Sequence, residues 1–138
     1  MLVLVDTPIW SLALRRIVSD LNPRERRLVT ALQELIGDGL AQIIGPVRQE
    51  LLSGIRDETA FRRLRTELRP FDEPPLDISD YEEAAQIHNQ CRSQGIAGSA
   101  IDFLICAAAS RRKWQILTTD QDFTHYARVV PLNLYQIK

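Results

Sequence analysis

Cysteine, histidine and lysine are scarce in this chain of 138 residues, which has two of each. Cys91 and Cys106 lie far apart in segments that read as helical, which indicates free thiols in a reducing compartment rather than a disulfide framework. No apolar run approaches the roughly 18 residues that a membrane-spanning helix needs. The apolar start is too short for a signal peptide, and Asp6 interrupts it. We therefore expect a soluble, cytoplasmic protein with no membrane association.

An excess of positive charge is also absent, because the net charge is −1. The whole chain is therefore no general electrostatic attractant for nucleic acid. Its bases are nonetheless unusual in kind, with 15 arginines beside the two lysines. Arginine suits forked contacts to phosphate or carboxylate, and it suits surface ion pairs equally. On a helix, Arg62, Arg65 and Arg69 share one face, which is compatible with contact to RNA phosphate, with an acidic partner or with a solvated surface.

Hydrophobic residues make up 45% of the chain and charged residues 25%, as in an ordinary globular protein, and the length predicts one domain over 1–138. Leu2 to Val5 is continuously apolar, which predicts a strand buried on both faces. Further strands are expected at 41–44, at 114–118 and within 129–137. Helices are expected between them, the first over 10–18. This alternation predicts an α/β fold with a mostly parallel sheet and helices on both faces.

Several helix starts carry capping patterns. Asn22 and Glu25 frame one start, with Pro23 at the first helical position. The pattern predicts a second capping box at Ser79 and Glu82, and a similar start at Ser99. Asp57 is expected to cap the helix that contains FRRLRTELR, and a loop or short strand is expected over 70–75.

Carboxylates follow the predicted strands, where ligands bind in open α/β sheets. Asp6 ends the first strand, Asp120 and Asp122 follow the strand at 114–118, Glu50 lies in the helix after the second strand, and Asp102 lies in the first turn of IDFLICAAAS. Each has a structural alternative: Asp6 and Asp102 as helix caps, Asp120 and Asp122 as turn formers, and Glu50 as a solvated helix residue. Asp6 is the hardest to explain in this way, since a carboxylate at the end of an apolar strand costs stability unless it is paired.

If these acids converge, they repel one another, by roughly 4 kcal/mol for two unit charges 4 Å apart at an effective dielectric of 20. At least one should then have a raised pKa. No cysteine or histidine lies among them, and carboxylate oxygens suit Mg²⁺ or Mn²⁺ rather than Zn²⁺. We therefore expect one or two such ions, which activate water for attack on a phosphodiester. Asp77 lies away from these positions along the chain and is expected to be a neutral control.

Four segments, VDTPIW, QELLSG, DFLICAAA and TTDQDF, resemble motifs of the PIN-domain ribonucleases, and more narrowly of the VapC-type toxins of bacterial toxin–antitoxin pairs. The resemblance covers essentially the whole chain. It implies a three-layer α/β/α sandwich and a metal-dependent endoribonuclease that acts as the toxin of a type II pair. It also implies a small antitoxin that blocks the active site, and a homodimer.

The same resemblance assigns the site residues. The catalytic and metal-binding acids fall on Asp6, Glu50, Asp102 and Asp120; an additional metal ligand falls on Asp122; and hydroxyls that orient carboxylates or water fall on Thr7 and Thr118. Pro8 departs from the family pattern, in which a small polar residue is common. His125 is a further candidate for contact with RNA. Trp10 and Phe123 either stack on bases or pack in the core.

Other functions explain the same residues less well. A phosphatase of the haloacid-dehalogenase type needs a second Asp where Pro8 stands, and a receiver domain needs a lysine on a late strand, which WQILTT does not contain. The remaining alternative is a non-catalytic PIN-like module that binds RNA or protein.

Overall fold

The first strand turns into a helix at the point where its apolar sequence stops. In the computed structural model, which describes residues 1–71 and 73–137, β1 (Val3–Val5) is buried and α1 (Thr7–Leu14) begins immediately after Asp6. The sequence predicts this helix over 10–18, and the structure corrects both its start and its end, with a separate short 3₁₀ helix at Val18–Asp20. Pro8 lies in the first turn of α1, where the N–H groups have no helical acceptor, so its missing N–H does not disturb the loop.

The elements that follow alternate largely as predicted. Within the described residues they are α2 (Pro23–Gly37), β2 (Ala41–Gln42), α3 (Gly45–Leu52), α4 (Glu58–Leu68), α5 (Ile78–Ser93), α6 (Ala100–Arg112), β3 (Gln115–Leu117), α7 (Asp122–Tyr126) and β4 (Asn133–Leu134). Each strand lies within its predicted segment and is shorter than predicted. Asp72, in the segment expected to be a loop or short strand, lies outside the described residues.

The predicted helix caps are confirmed except at α5. The Asn22–Glu25 capping box is present, Asp57 caps α4, and Ser99 Oγ accepts from the N–H of Asp102 at 3.1 Å. The Ser79–Glu82 box is wrong, because α5 starts at Ile78 and its box joins the two aspartates 77 and 80. Those aspartates also meet two arginines of α6, which the local pattern does not reveal.

The sheet is parallel throughout, in the order β2-β1-β3-β4. The chain runs from β1 to β2 on one side and later returns to β3 on the other, so the switch point lies between β1 and β3. Helices α1 to α3 pack together, whereas α5 packs against α6, which in turn covers β1 and β3. The result is the predicted three-layer α/β/α sandwich. Among the described residues, no helix has the length and apolar character to cross a membrane.

Candidate metal and nuclease site

Asp6 is a buried carboxylate at the switch point of the sheet. Only 4% of the residue is exposed. Its Oδ1 accepts from the N–H of Thr7 at 2.8 Å, and its Oδ2 accepts from Thr118 Oγ1 at 2.7 Å. Its own N–H donates to the carbonyl of Leu117 at 2.9 Å, so the ends of β1 and β3 are joined. Asp6 therefore does cap α1, as the structural alternative predicts.

The cap does not neutralise Asp6. Both donors to its carboxylate are uncharged, and none of the ion pairs among the described residues includes it. The adjacent hydroxyl of Thr7 is buried, and no residue that the structure describes forms a hydrogen bond with it. The switch point thus holds one buried acid and one unsatisfied polar atom side by side.

The loop after β3 extends this network through Thr118. Its Oγ1 donates to Asp6 and accepts from the N–H of Asp120 at 3.0 Å. Asp120 Oδ1 in turn accepts from the N–H of Asp122 at 2.9 Å, which is the turn-forming role considered for Asp120. Thr118 is therefore placed to orient Asp6 and to fix the position of Asp120.

Asp102 is held by a residue that the sequence motifs do not indicate. Tyr126 is fully buried, and its hydroxyl donates to Asp102 Oδ2 at 2.8 Å. A Cβ on Gly98 would come within 2.4 Å of that hydroxyl and 2.7 Å of the Phe103 ring, so only glycine fits there. The spacing of two aromatic residues in α7, Phe123 and Tyr126, predicts a buried face but not this hydrogen bond.

Burial is the main influence on the two best-placed acids. It raises the pKa of Asp6 to about 6; the hydrogen bonds from Thr118 and Thr7 oppose the rise, and the charges of Asp102 and Glu50 add to it. Burial also raises the pKa of Asp102, with Tyr126 opposing and the charge of Asp120 adding. The expectation of a raised pKa is confirmed, although desolvation rather than mutual repulsion is the larger cause.

The predicted acids lie near enough to interact, but they do not form a ready coordination shell. Among the described residues, no group of three or more Asp, Glu, His or Cys side chains is positioned as metal ligands. The carboxylates lie in different environments: Asp102 is held by Tyr126, Asp120 is held within its turn, and Glu50 is exposed on α3. The donor set itself, carboxylate oxygens around a buried uncompensated charge, fits Mg²⁺ or Mn²⁺.

The other candidates are more peripheral. Asp122 and His125 are exposed on α7, with His125 Nδ1 3.9 Å from Asp122 Oδ1. Trp10 and Phe123 are fully buried, so they pack in the core and do not stack on bases.

The predicted arginine face on α4 is exposed. Arg62 pairs with Glu58 at 3.1 Å, and the Arg65 guanidinium lies 6.0 Å from the centre of the Phe61 ring. Arg69 ends the helix and is exposed too. The described contacts do not connect this face with Asp6 or Asp102.

A parallel α/β sandwich with a buried acid at its switch point defines the class of the protein. Residues 3–129 match the sequence model of the PIN domain. The chain therefore belongs to the PIN-domain family. No curated protein sequence matched it.

Several solved structures have a similar fold. FitAcB from Neisseria gonorrhoeae matches with a TM-score of 0.76 and 22% identity, covering 98% of this chain and 97% of that one. VapBC2 from Rickettsia felis, bound to a DNA fragment from the promoter, matches with a TM-score of 0.73 and 18% identity, covering 98% of each chain. DNA-bound VapBC from Salmonella typhimurium matches with a TM-score of 0.69 and 15% identity, again covering 98% of each. At these identities the likeness establishes the fold.

Proposed function

We propose that this chain is a metal-dependent endoribonuclease, the VapC-type toxin of a type II toxin–antitoxin pair, built as a single domain over 1–138. The observation that carries the proposal is Asp6: a buried carboxylate at the switch point, with only neutral donors among the described residues. The charges of Glu50 and Asp102 act on it, and that of Asp120 acts on Asp102. A divalent cation would relieve this concentration of negative charge.

The role that we propose for each acid depends on its position in the site. Asp6 and Asp102 are the principal ligands for Mg²⁺ or Mn²⁺, and Glu50 and Asp120 complete the site, with one of them taking a proton from the attacking water on a carboxylate oxygen. Asp122 is the ligand for a second ion. The cation, when bound, supplies positive charge where negative charge develops on the phosphodiester.

Two threonines support these carboxylates. Thr118 holds Asp6 Oδ2 through its hydroxyl, which fixes the direction of the free lone pairs. Thr7, whose buried hydroxyl has no hydrogen-bond partner among the described residues, offers that hydroxyl to a water in the site. Such outer contacts orient the ligands of a metal and tune its affinity.

The similarity in fold supports a proposal for the biological setting. The neighbours in fold were solved as FitAcB and VapBC complexes, and one is described as a toxin–antitoxin complex from Klebsiella pneumoniae. We propose that this chain likewise binds a small antitoxin that covers the acidic site, that it forms a homodimer, and that it acts in the cytoplasm.

The decisive experiment is cleavage of total RNA by the purified protein in Mn²⁺, with EDTA as the blank. Asp6→Asn and Asp102→Asn keep the side-chain shape and remove the charge, so each should lower the rate at least about a hundredfold, the upper end of what an outer contact costs. Asp77 is unsuitable as the control, because it caps α5 and contacts Arg111. Asp38→Asn replaces it, since Asp38 is exposed and forms no described side-chain hydrogen bond.

One observation favours the alternative, a non-catalytic PIN-like module that binds RNA or protein. The described acids are not gathered into a coordination shell. The same assay separates the two functions, since equal cleavage in EDTA, or full activity of Asp6→Asn, would refute the metal nuclease.

A further inference from the structure

A groove lined by arginine begins beside the acidic site. A cavity of about 400 Å³ lies between α1, α2 and the loop after β3, and it includes Pro8, Arg16, Arg24 and Thr119. Arg24 and Thr119 also line a second cavity of about 270 Å³, which reaches Asp120. The two cavities are therefore neighbours on the surface, and both reach the loop that carries Asp120.

The groove continues along α2 beyond that loop. Tyr135 and Ile137 line the second cavity and also a third, of about 370 Å³, whose α2 side includes Arg26 and Arg27. Three open cavities that share their walls in this way form an elongated path rather than an enclosed pocket. Such a shape suits a polymer better than a small molecule.

The four arginines of this path, Arg16, Arg24, Arg26 and Arg27, are all exposed, and none belongs to an ion pair among the described residues. Of the eleven other arginines, Arg48, Arg62, Arg111 and Arg112 have carboxylate partners among the described residues, and seven, including Arg92, do not. The acid nearest in sequence, Glu25, is occupied by its capping hydrogen bond to the N–H of Asn22 at 2.9 Å. The path therefore offers guanidinium groups that are available to an external anion.

One of the four, Arg24, lies in the first turn of α2, where the helix dipole favours negative charge and disfavours a cation.

We infer that the arginine groove, defined by Arg16, Arg24, Arg26 and Arg27, binds the sugar-phosphate backbone of single-stranded RNA next to the acidic site. The inference rests on the proposed function, because a phosphodiester must approach four carboxylates that repel it. Guanidinium groups along the approach offset that repulsion and hold phosphates in forked contacts. Basic grooves that track the backbone are the usual means of binding a single strand.

The test measures binding separately from cleavage. A fluorescein-labelled single-stranded RNA is titrated with the intact protein in EDTA, and fluorescence anisotropy is followed at several salt concentrations. The double variant Arg24→Gln, Arg27→Gln should weaken binding at least about a hundredfold at about 100 mM salt, which is the lower end for the loss of two charge-assisted hydrogen bonds. Two lost phosphate contacts should also make the slope of log K against log salt shallower by about 1.4.

Two matched variants keep the result specific. Arg92→Gln removes an exposed arginine from α5, which contributes no residue to the groove, and should leave affinity and salt slope unchanged. The triple variant Arg62→Gln, Arg65→Gln, Arg69→Gln tests the competing arginine face on α4. If that variant loses RNA affinity and the groove variant does not, the inference is overturned.

The remaining outcomes distinguish a failure of the groove inference from a failure of the proposed nuclease function. Wild-type protein that cleaves RNA in Mn²⁺, with unaltered RNA binding by the groove variant, would overturn the groove alone. RNA affinity that depends on Arg24 and Arg27, without any cleavage in Mn²⁺, would support the groove and refute the nuclease. If the groove variant loses affinity for a polyglutamate peptide and retains RNA affinity, the groove belongs to an acidic protein segment and the inference is wrong.

Discussion

Asp6 joins two structural tasks in one side chain, because it ends a buried strand and caps the helix that follows. Its carboxylate is satisfied by two neutral donors, yet its ionisation in a buried position is unfavourable. Asp6 thus combines a satisfied hydrogen-bond inventory with a charge that no ion pair among the described residues offsets.

The pKa of Asp6 predicts how stability depends on pH in EDTA. Below about pH 4 the carboxyl is protonated in both states, but between the ordinary value of 3.8 and about 6 only the unfolded chain ionises freely. The free energy of unfolding should therefore fall by about 3 kcal/mol as the pH rises through this window, at 1.36 kcal/mol per pKa unit.

Asp6→Asn removes that penalty. In urea unfolding followed by circular dichroism in EDTA, it should stabilise the protein by about 3 kcal/mol at neutral pH and by nearly nothing at about pH 4. Asp38→Asn, on the surface, should show neither effect. A loss of stability in Asp6→Asn at every pH would mean that its hydrogen bonds outweigh its desolvation.

At the scale of elements, α5 and α6 are held together by a buried ion cluster remote from the motifs. Asp80 is fully buried and accepts from Arg111 at 2.7 Å and from Arg112 at 2.7 and 2.9 Å. The hydrogen bond from Arg112 holds the pKa of Asp80 below its usual range. The stability contributed by this pairing is thus present above about pH 4 and is lost as the pH falls further.

Asp80→Asn should lower the free energy of unfolding by about 3 kcal/mol at neutral pH, the lower end for breaking a buried ion pair, because both arginines retain some access to water. Glu82→Gln is the matched control in the same helix, since Glu82 is exposed and takes no part in the capping box. Equal destabilisation by the two changes in urea unfolding would argue against a stabilising role of the buried ion cluster.

At the scale of the whole molecule, the sheet collects acids from four separate segments at one edge. Asp6 follows β1, Asp120 follows β3, and Glu50 and Asp102 lie on helices that pack near that edge. Only the folded chain has this arrangement, so a cation bound by these acids should stabilise the native state by mass action.

Mn²⁺ at about a hundred times its Kd should add about 2.7 kcal/mol, which raises the Tm by roughly 5–10 °C for a chain of this length. Asp6→Asn should remove most of the rise, and Asp38→Asn should keep it. Scanning fluorimetry against Mn²⁺ concentration measures both. A Tm that does not respond to Mn²⁺ would be incompatible with the metal site.

The sequence by itself determined the features that depend on neighbours along the chain. Continuous apolar runs identified β1 and β3, and local hydrogen bonds placed the starts of α2, α4 and α6. The alternation of elements predicted the parallel sandwich, and strand ends identified Asp6 and Asp120 as acids at the ligand-binding edge.

Only the tertiary structure decided which distant groups meet. Thr118 reaches Asp6 across 112 positions, Tyr126 reaches Asp102 across 24, and Arg112 of α6 reaches Asp80 across 32. The arginine groove has the same origin, since the packing of α1, α2 and the loop after β3 brings its walls together. Hydrogen bonds and charges act over a few ångströms in space, so they depend on the folded contacts rather than on local sequence.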